Sequence, residues 1–580
     1  MKQVKEWIIN NKAFLIIFAI AILARVSGLG HMIFGDELFY AETAKDQAYV
    51  NYYGSHPPLS FWMHSVWGLL IGAAVWKARL LVSLLSLVNI ALTYIIAKKY
   101  YGKKAATWAS LLLSLSVWFT IGSLQLDMDA SFVSFFFLIS VFFYTKWLET
   151  GKTQHLSLIG LFYGLGILTK FTAVLIGPIL AMHYLINYKP FQKKTFLNFL
   201  KNFSTIALIG FALFLIFPIF GFLTGSTSFK AAFTHGTELL TSRNGAGTDY
   251  GLLAIQFLNA IVWISPLLIG LLLYSALYSK KKKSIFFIWA LVVIFFYTFV
   301  IQDNFRPIEK YLLITAPALS IIGGEFLSNL SFKRKHLMLL GAATFIWFAF
   351  LLIFNLQQGT FIDFYPKSNF LTQALNFNLL LNMPLEGHAG PIGFYVLAGT
   401  IFLTFILAGI LFIGSLAARK KAAFAYLVIL FLGVSLGYNL YLSEEYLIGA
   451  VKPNIDKISS DTISYLLKEN YNSPLFVFRN IGFEYYLEDR FGRSRDVLGN
   501  MCNTYSDSPC IDKSKTYYLD FKDEFDKKTM GLIDKNHPTV AVIDYPQINK
   551  QSYLWQRLLR CDLVKTFSDK GTTLGYVFNC

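Results

Sequence analysis

The sequence predicts a polytopic α-helical membrane protein that ends in a small extramembranous α/β domain. Three observations carry this. Of the 580 residues, 55% are hydrophobic, 17% aromatic and only 15% charged, and the mean hydropathy is +0.51, a balance outside the range of soluble globular proteins. Apolar runs of the roughly 17–25 residues needed to cross a hydrocarbon core of about 30 Å alternate with short Lys/Arg clusters. All four cysteines, Cys502, Cys510, Cys561 and Cys580, fall in the final, water-soluble stretch, which suits an oxidising extracytoplasmic compartment. The formal net charge of +17 lies in the short clusters rather than on one basic face, so it reads as cytoplasmic anchoring charge and not as a nucleic-acid surface.

Taken in order, the chain yields thirteen expected spans. Lys2, Lys5 and Lys12 start it inside, and no small-x-small cleavage site follows the first apolar run, so an uncleaved first span is expected at about 12–30. Residues 31–76 form an outer loop with short interfacial helices, and span two (about 77–97) returns to Lys98, Lys99, Lys103 and Lys104. Spans three and four (about 105–123 and 130–147) place Asp127 and Asp129 outside; spans five and six turn outside at Lys170. Span seven leads to a second outer loop, 223–250, and span eight returns to Lys280–Lys283. Span nine exits to 301–310, span ten re-enters from Tyr311, and a third outer loop at 357–388 precedes spans twelve and thirteen. The expected domains are thus a membrane domain over 1–442 and a periplasmic α/β domain over 443–580. In the latter, β-rich runs at 475–479, 516–519, 539–543 and 573–578 alternate with helical stretches such as 455–470. Four cysteines allow three connectivities; Cys502 with Cys510 and Cys561 with Cys580 closes the shortest loops.

In this topology the notable polar groups share the outer side: Asp36, Glu37, His56, Asp127, Asp129, Lys170, His235, Arg243, Lys310 and Tyr311. Charge beside a bilayer is costly, and a cluster of it marks a candidate site. Chemistry at this face has no access to cytoplasmic nucleotides, so an activated group would arrive on a lipid carrier. Lys170, Arg243, Lys310 and Tyr311 are cations and a hydroxyl suited to a lipid phosphate. Asp36 could act as general base, or orient an acceptor already ionised. Asp127 and Asp129 have the spacing of paired metal-binding carboxylates, yet one of them could equally cap the following span. Lys170 could snorkel to headgroups, and His235 could be a solvated loop position. No Walker motif, zinc spacing or Ser/His/Asp constellation appears.

The segments GDELFYAE (35–42), HPPLSFW (56–62), KARLLVSLLSLVNIALTYIIAKKYYGKKAA (77–106), LDMDASF (126–132), GLGILTKF (164–171) and EKYLLITAPAL (309–319) resemble, in order and spacing, the membrane-embedded GT-C glycosyltransferases. Within that group the likeness is to protein O-mannosyltransferases and the lipid A aminoarabinose transferase. The resemblance implies a polyprenyl-phosphate sugar donor, reaction at the outer membrane face and inversion at the sugar carbon. By motif position it implies an acidic catalytic role for Asp36 with Glu37 beside it, and donor-phosphate contacts for His56, Lys170, Arg243, Lys310 and Tyr311. His56 stands where the aminoarabinose transferases have Lys, and Ser55 where they have an acidic residue. Any divalent metal would draw on Asp127, Asp129 or His235.

The expectation is therefore transfer of a sugar, an aminosugar among the candidates, to lipid A or a related glycolipid in the bacterial inner membrane, with the N-terminus cytoplasmic and the C-terminus periplasmic. Transfer to protein or to a polysaccharide is the alternative within the fold. A secondary transporter or lipid flippase is the alternative outside it, disfavoured because the charges gather at one interface rather than near the bilayer midplane.

Overall fold

The computed structural model describes residues 11–33, 37–45, 57–127, 129–188, 193–224, 250–279, 284–301, 308–330, 332–363, 372–373, 375–385, 393–469, 474–478, 486, 495–497, 516–519, 523–525 and 527–580. Contacts divide the chain into two units. The first comprises residues 1–29, 39–346 and 407–443, the second 30–38, 347–406 and 444–580.

The first unit is helical. Among the described residues of the whole chain, nine helices are long and apolar enough to cross a membrane: Val75–Tyr101, Ser131–Thr150, Phe171–Tyr188, Phe196–Leu223, Ala260–Tyr278, Lys310–Asn329, Arg334–Asn355, Ala398–Ala417 and Lys421–Leu447. These correspond to nine of the thirteen expected spans. The other four expected spans are helical but short or interrupted: Lys12–Ser27 and Thr153–Thr169 fall below full length, Lys103–Leu115 breaks before Val117–Gly122, and Ile285–Phe295 passes into a π-helical turn. Two short helices, Glu37–Lys45 and Leu59–Ile71, stand in the stretch before span two.

The breaks in this unit are bonded rather than left open. Ser116 is extended (φ −68°, ψ 115°), which separates Lys103–Leu115 from Val117–Gly122. Ser265 adopts a left-handed φ of 68° just before Pro266 and kinks Tyr250–Tyr278. One side chain serves both places: Asn439 Oδ1 accepts from Val117 N at 3.0 Å and its Nδ2 donates to Ser265 Oγ at 2.9 Å. Backbone polar groups inside a bilayer must be satisfied internally, and Asn439 does this for Val117 N at the first break while bonding the Ser265 hydroxyl at the second.

Close packing rests on small residues. A Cβ on Gly324 would lie 2.6 Å from Ala105 O and 2.7 Å from Ala109 N. Both are backbone atoms of Lys103–Leu115 and cannot swing aside. Gly324→Val is therefore expected to lower thermal stability in detergent, by about 1–3 kcal/mol or more, whereas Gly341→Ala, with open space around it, should not. Equal melting temperatures for the two variants would refute this packing.

The second unit contains the sheets. An antiparallel pair, β1 (Asn382–Leu385) and β2 (Phe394–Leu397), begins within the region expected as the third outer loop and adds strands that the expected topology lacks. The larger sheet has six strands: β3 (Leu475–Phe478), β4 (Arg495–Val497), β5 (Thr516–Leu519), β6 (Thr539–Ile543), β7 (Asp562–Asp569) and β8 (Thr572–Asn579). Their order is β4-β5-β3-β6-β8-β7, with β4, β5, β3 and β6 parallel and β8 and β7 antiparallel. Period-two alternation builds two cores from one strand. Leu475 and Val477 pack with Ile455, Ile458, Ile463 and Leu466 of helix Ile455–Glu469. Phe476 and Phe478 pack on the other face with Met530, Ile533, Leu554 and Leu558. Tyr545 OH donates to Leu385 O at 3.1 Å, tying β1 to the six-stranded sheet. Cys561 and Cys580 are disulfide-bonded; Cys502 and Cys510 lie outside the described residues.

Near the start of helix Ile455–Glu469, Asp569 accepts from Asn454 N at 3.0 Å and from Lys457 Nζ at 2.9 Å, with Lys570 Nζ at 3.8 Å. Burial pushes its carboxyl up, but these partners more than reverse that, so its pKa lies below the ordinary carboxylate value. A lowered folded pKa contributes stability above the unfolded value of about 4, and that stability is lost as pH falls through the folded one. The denaturant midpoint should thus drop on acidification, and Asp569→Asn should flatten the drop. An unchanged slope in urea titrations would count against it.

Candidate functional site

The candidate site is built on the link between Val117–Gly122 and Ser134–Thr150, which is irregular up to Asp127 and ends in the π-helical turn Asp129–Val133. Its backbone carbonyls are held one after another by buried side chains. Ser83 Oγ donates to Ser123 O at 3.3 Å, Arg79 Nη1 to Leu124 O at 2.6 Å, and Asn89 Nδ2 to Ser131 O at 2.9 Å. His64 Nε2 meets Leu126 O at 3.1 Å, which requires the Nε2–H form of the ring. Three of these four residues belong to one helix. Arg79, Ser83, Ser86, Asn89 and Thr93 recur at spacings of four, three, three and four along Val75–Tyr101, and all are buried. They form a single polar stripe on an otherwise apolar span. In sequence, 77–106 reads as a span and a motif without the stripe standing out, and His64 reads as structural in an apolar context. The available signal is a charged residue, Arg79, at helical spacing from four small polar residues in a hydrophobic run.

The braced link delivers Asp127 into the interior. Its carboxylate is ion-paired with Lys310 Nζ, the two side chains being 3% and 11% exposed, and Tyr40 OH donates to its Oδ1 at 3.4 Å. Tyr40 is fixed by a parallel stack on Phe61, with ring centroids 4.7 Å apart, and by His64 at 5.5 Å. Glu37–Lys45 and Leu59–Ile71 reach this proximity because Gly68 offers no side chain: a Cβ there would fall 2.0 Å from Ala44 O.

Tyr311, next to Lys310, carries the second half of the cluster. Its ring lies 4.9 Å from Lys170 Nζ and stacks on Tyr297 at 5.0 Å, and Tyr297 OH is 2.7 Å from Thr172 Oγ1. Lys170 is itself extended (φ −159°, ψ 140°) where Thr153–Thr169 gives way to the 3-10 turn Phe171–Leu175. An ammonium over an aromatic face is attracted by the ring quadrupole, about 0.5–2 kcal/mol depending on desolvation. Asp127, Lys170, Lys310 and Tyr311, expected from sequence as site residues, are thus gathered in one cluster.

Two of the expected site residues meet each other: Lys310, expected among the donor-phosphate cations, is ion-paired with Asp127, expected as a metal ligand or a helix cap. Among the described residues no three His, Cys, Asp or Glu side chains come together as metal ligands. Asp129 opens the π-helical turn Asp129–Val133. Glu37 begins Glu37–Lys45 and is fully buried. Asp36, His56, His235, Arg243 and the side chain of Asp129 lie outside the described residues.

Removing one partner of a buried pair leaves an uncompensated charge. Lys310→Met is expected to destabilise the protein by about 3–5 kcal/mol, and the double variant Asp127→Asn/Lys310→Met to recover much of that loss. Unfolding in detergent would read both, and a double variant no more stable than the single would refute the pairing.

The profile of the family described as dolichyl-phosphate-mannose-protein mannosyltransferase matches residues 55–217, a stretch that contains Arg79, Asp127 and Lys170. No curated protein sequence matches the chain. Among solved structures, ArnT from Cupriavidus metallidurans bound to undecaprenyl phosphate aligns over 98% of both chains, with a TM-score of 0.57 and 15% identity. The apo state of ArnT from the same organism aligns over the same shares, with a TM-score of 0.58 and 16% identity. The archaeal oligosaccharyltransferase AglB from Archaeoglobus fulgidus, solved with an inhibitory peptide and a dolichol-phosphate, aligns over 98% of this chain and 74% of its own, with a TM-score of 0.44 and 12% identity. The chain thus shares the GT-C fold along its whole length, and residues 55–217 match the mannosyltransferase family.

Proposed function

We propose that the protein transfers a sugar from a polyprenyl-phosphate donor to lipid A or a related glycolipid, at the periplasmic face of a bacterial inner membrane. The reading is supported most by the cluster in which Lys170 lies over Tyr311 and Asp127 is paired with Lys310. A lipid phosphate needs a cation beside hydroxyl donors in a site shielded from water. The full-length fold likeness to ArnT, whose structure holds undecaprenyl phosphate, points the same way.

In the transfer, an acceptor oxygen attacks the anomeric carbon of the donor sugar as the bond from that carbon to the phosphate oxygen breaks. The new bond forms on the opposite face, which inverts the centre, and polyprenyl phosphate leaves with the electron pair. Lys170, with Arg243 and His56, would carry the charge that develops on the leaving phosphate, and the Tyr311 hydroxyl would donate to it. If the acceptor is a hydroxyl, its proton passes to Asp36; if it is an ionised phosphate, Asp36 with Glu37 orients it. The Lys310–Asp127 pair would hold Tyr311 in place rather than bind phosphate itself. Basic clusters between the spans support a cytoplasmic N-terminus. The family match to protein mannosyltransferases favours a second reading, in which the acceptor is a protein hydroxyl.

The test is to incubate purified protein with polyprenyl-phosphate sugars and lipid A, then read lipid A by mass spectrometry. A gain of one sugar is expected, together with a loss of at least about a thousandfold in rate for Asp36→Asn. Donor consumption without a gain on lipid A would move the acceptor to protein or polysaccharide. An untouched donor across a panel of polyprenyl-phosphate sugars would overturn the assignment.

A further inference from the structure

Residues 31–33, which lead directly into Phe34, Gly35 and Asp36, are built into the sheet-bearing unit. One carboxylate, Asp456 in the first turn of helix Ile455–Glu469, holds two successive residues: its Oδ1 accepts from Met32 N at 2.6 Å and its Oδ2 lies 3.6 Å from His31 Nδ1. Tyr486 OH accepts from Ile33 N at 3.3 Å, and the His31 ring packs on Tyr446 at 4.9 Å. Met32, 5% exposed, belongs to the same core as Ile455, Ile458, Val477 and Ile543. An extended segment spliced into a domain core by backbone hydrogen bonds and a buried side chain is fixed in position. Three further residues reach only about 10 Å.

We propose that Asp456 is a positioning residue for the reaction: through Met32 N and His31 it anchors residues 31–33, three positions ahead of Asp36 in the chain. This rests on the glycosyl-transfer reading, in which Asp36 meets the acceptor. Loss of the anchor frees the stretch from which the chain runs on to Asp36. A misplacement of about 1 Å can cost on the order of a hundredfold in rate.

Three variants of the full-length protein test it. Asp456→Ala removes both contacts, Asp456→Asn keeps an oxygen acceptor for Met32 N, and Ile533→Ala opens the other core of the same domain, where none of residues 31–33 packs. Two readouts are taken: deuterium exchange of the peptide covering 30–38, and kcat and KM for the polyprenyl-phosphate sugar. Asp456→Ala should speed exchange at Met32 at least about tenfold and lower kcat roughly ten- to a hundredfold at unchanged KM. Asp456→Asn should restore most of both. Ile533→Ala should melt earlier yet exchange and turn over like the parent. Parent-like exchange or kcat in Asp456→Ala would overturn the proposal, as would Asp456→Asn failing like Asp456→Ala. So would a fall in kcat for Ile533→Ala equal to that for Asp456→Ala, since the effect would then be general destabilisation. If the parent itself transfers no sugar, the functional reading fails, and the exchange measurement still decides whether Asp456 holds the segment.

Discussion

A carboxylate inside a membrane protein is tolerated only with an opposite charge and full hydrogen bonding, and Asp127 has its charge partner in Lys310. Much of the first unit follows from that requirement. The link bearing Asp127 is not helical along its length, so its carbonyls need donors, and Arg79, Ser83, Asn89 and His64 supply them. The helix Val75–Tyr101 carries its polar residues on one face for this purpose. Lys310, drawn to Asp127, fixes Tyr311, and Tyr311 in turn carries Lys170 over its ring. A structural ion pair and a candidate phosphate site therefore differ by one peptide bond, which is why residue type alone does not separate their roles.

The second unit uses a different device for a related end. Its six-stranded sheet has apolar residues on both faces of β3 and β6, so it must be covered twice, by Ile455–Glu469 on one side and by Lys527–Asn536 and Tyr553–Leu558 on the other. The first cover brings Asp456 to the sheet with an acceptor to spare, and residues 31–33 use it. Tyr545 adds β1 and β2 to the same body. A domain that reads in sequence as a separate appendage thereby contains short pieces from the start and the middle of the chain.

Local pattern accounts for the features legible in the sequence. Apolar length and basic punctuation locate the spans, although composition does not reveal the break at Ser116 or the shortness of Lys12–Ser27. Alternation locates β3, β5, β6 and β8 almost to the residue, while β4 and β7 escape it; six of the eight residues of β7 are exposed, so it lacks the buried alternation that marks a strand.

The sequence alone determined the fold class, the sheet-bearing C-terminal region and the chemical types that could form a site, because hydropathy and periodicity are properties of neighbouring residues. Tertiary structure alone decided that Lys310 neutralises Asp127, that Lys170 lies over Tyr311, that His64 and Arg79 brace the link, and that Asp456 grips Met32. The contacts from Asp127 to Tyr40 and from Met32 to Asp456 join residues 87 and 424 positions apart. No local period encodes such a pairing. It emerges only when helices and sheets, packing to bury their apolar faces, force buried polar groups to find one another.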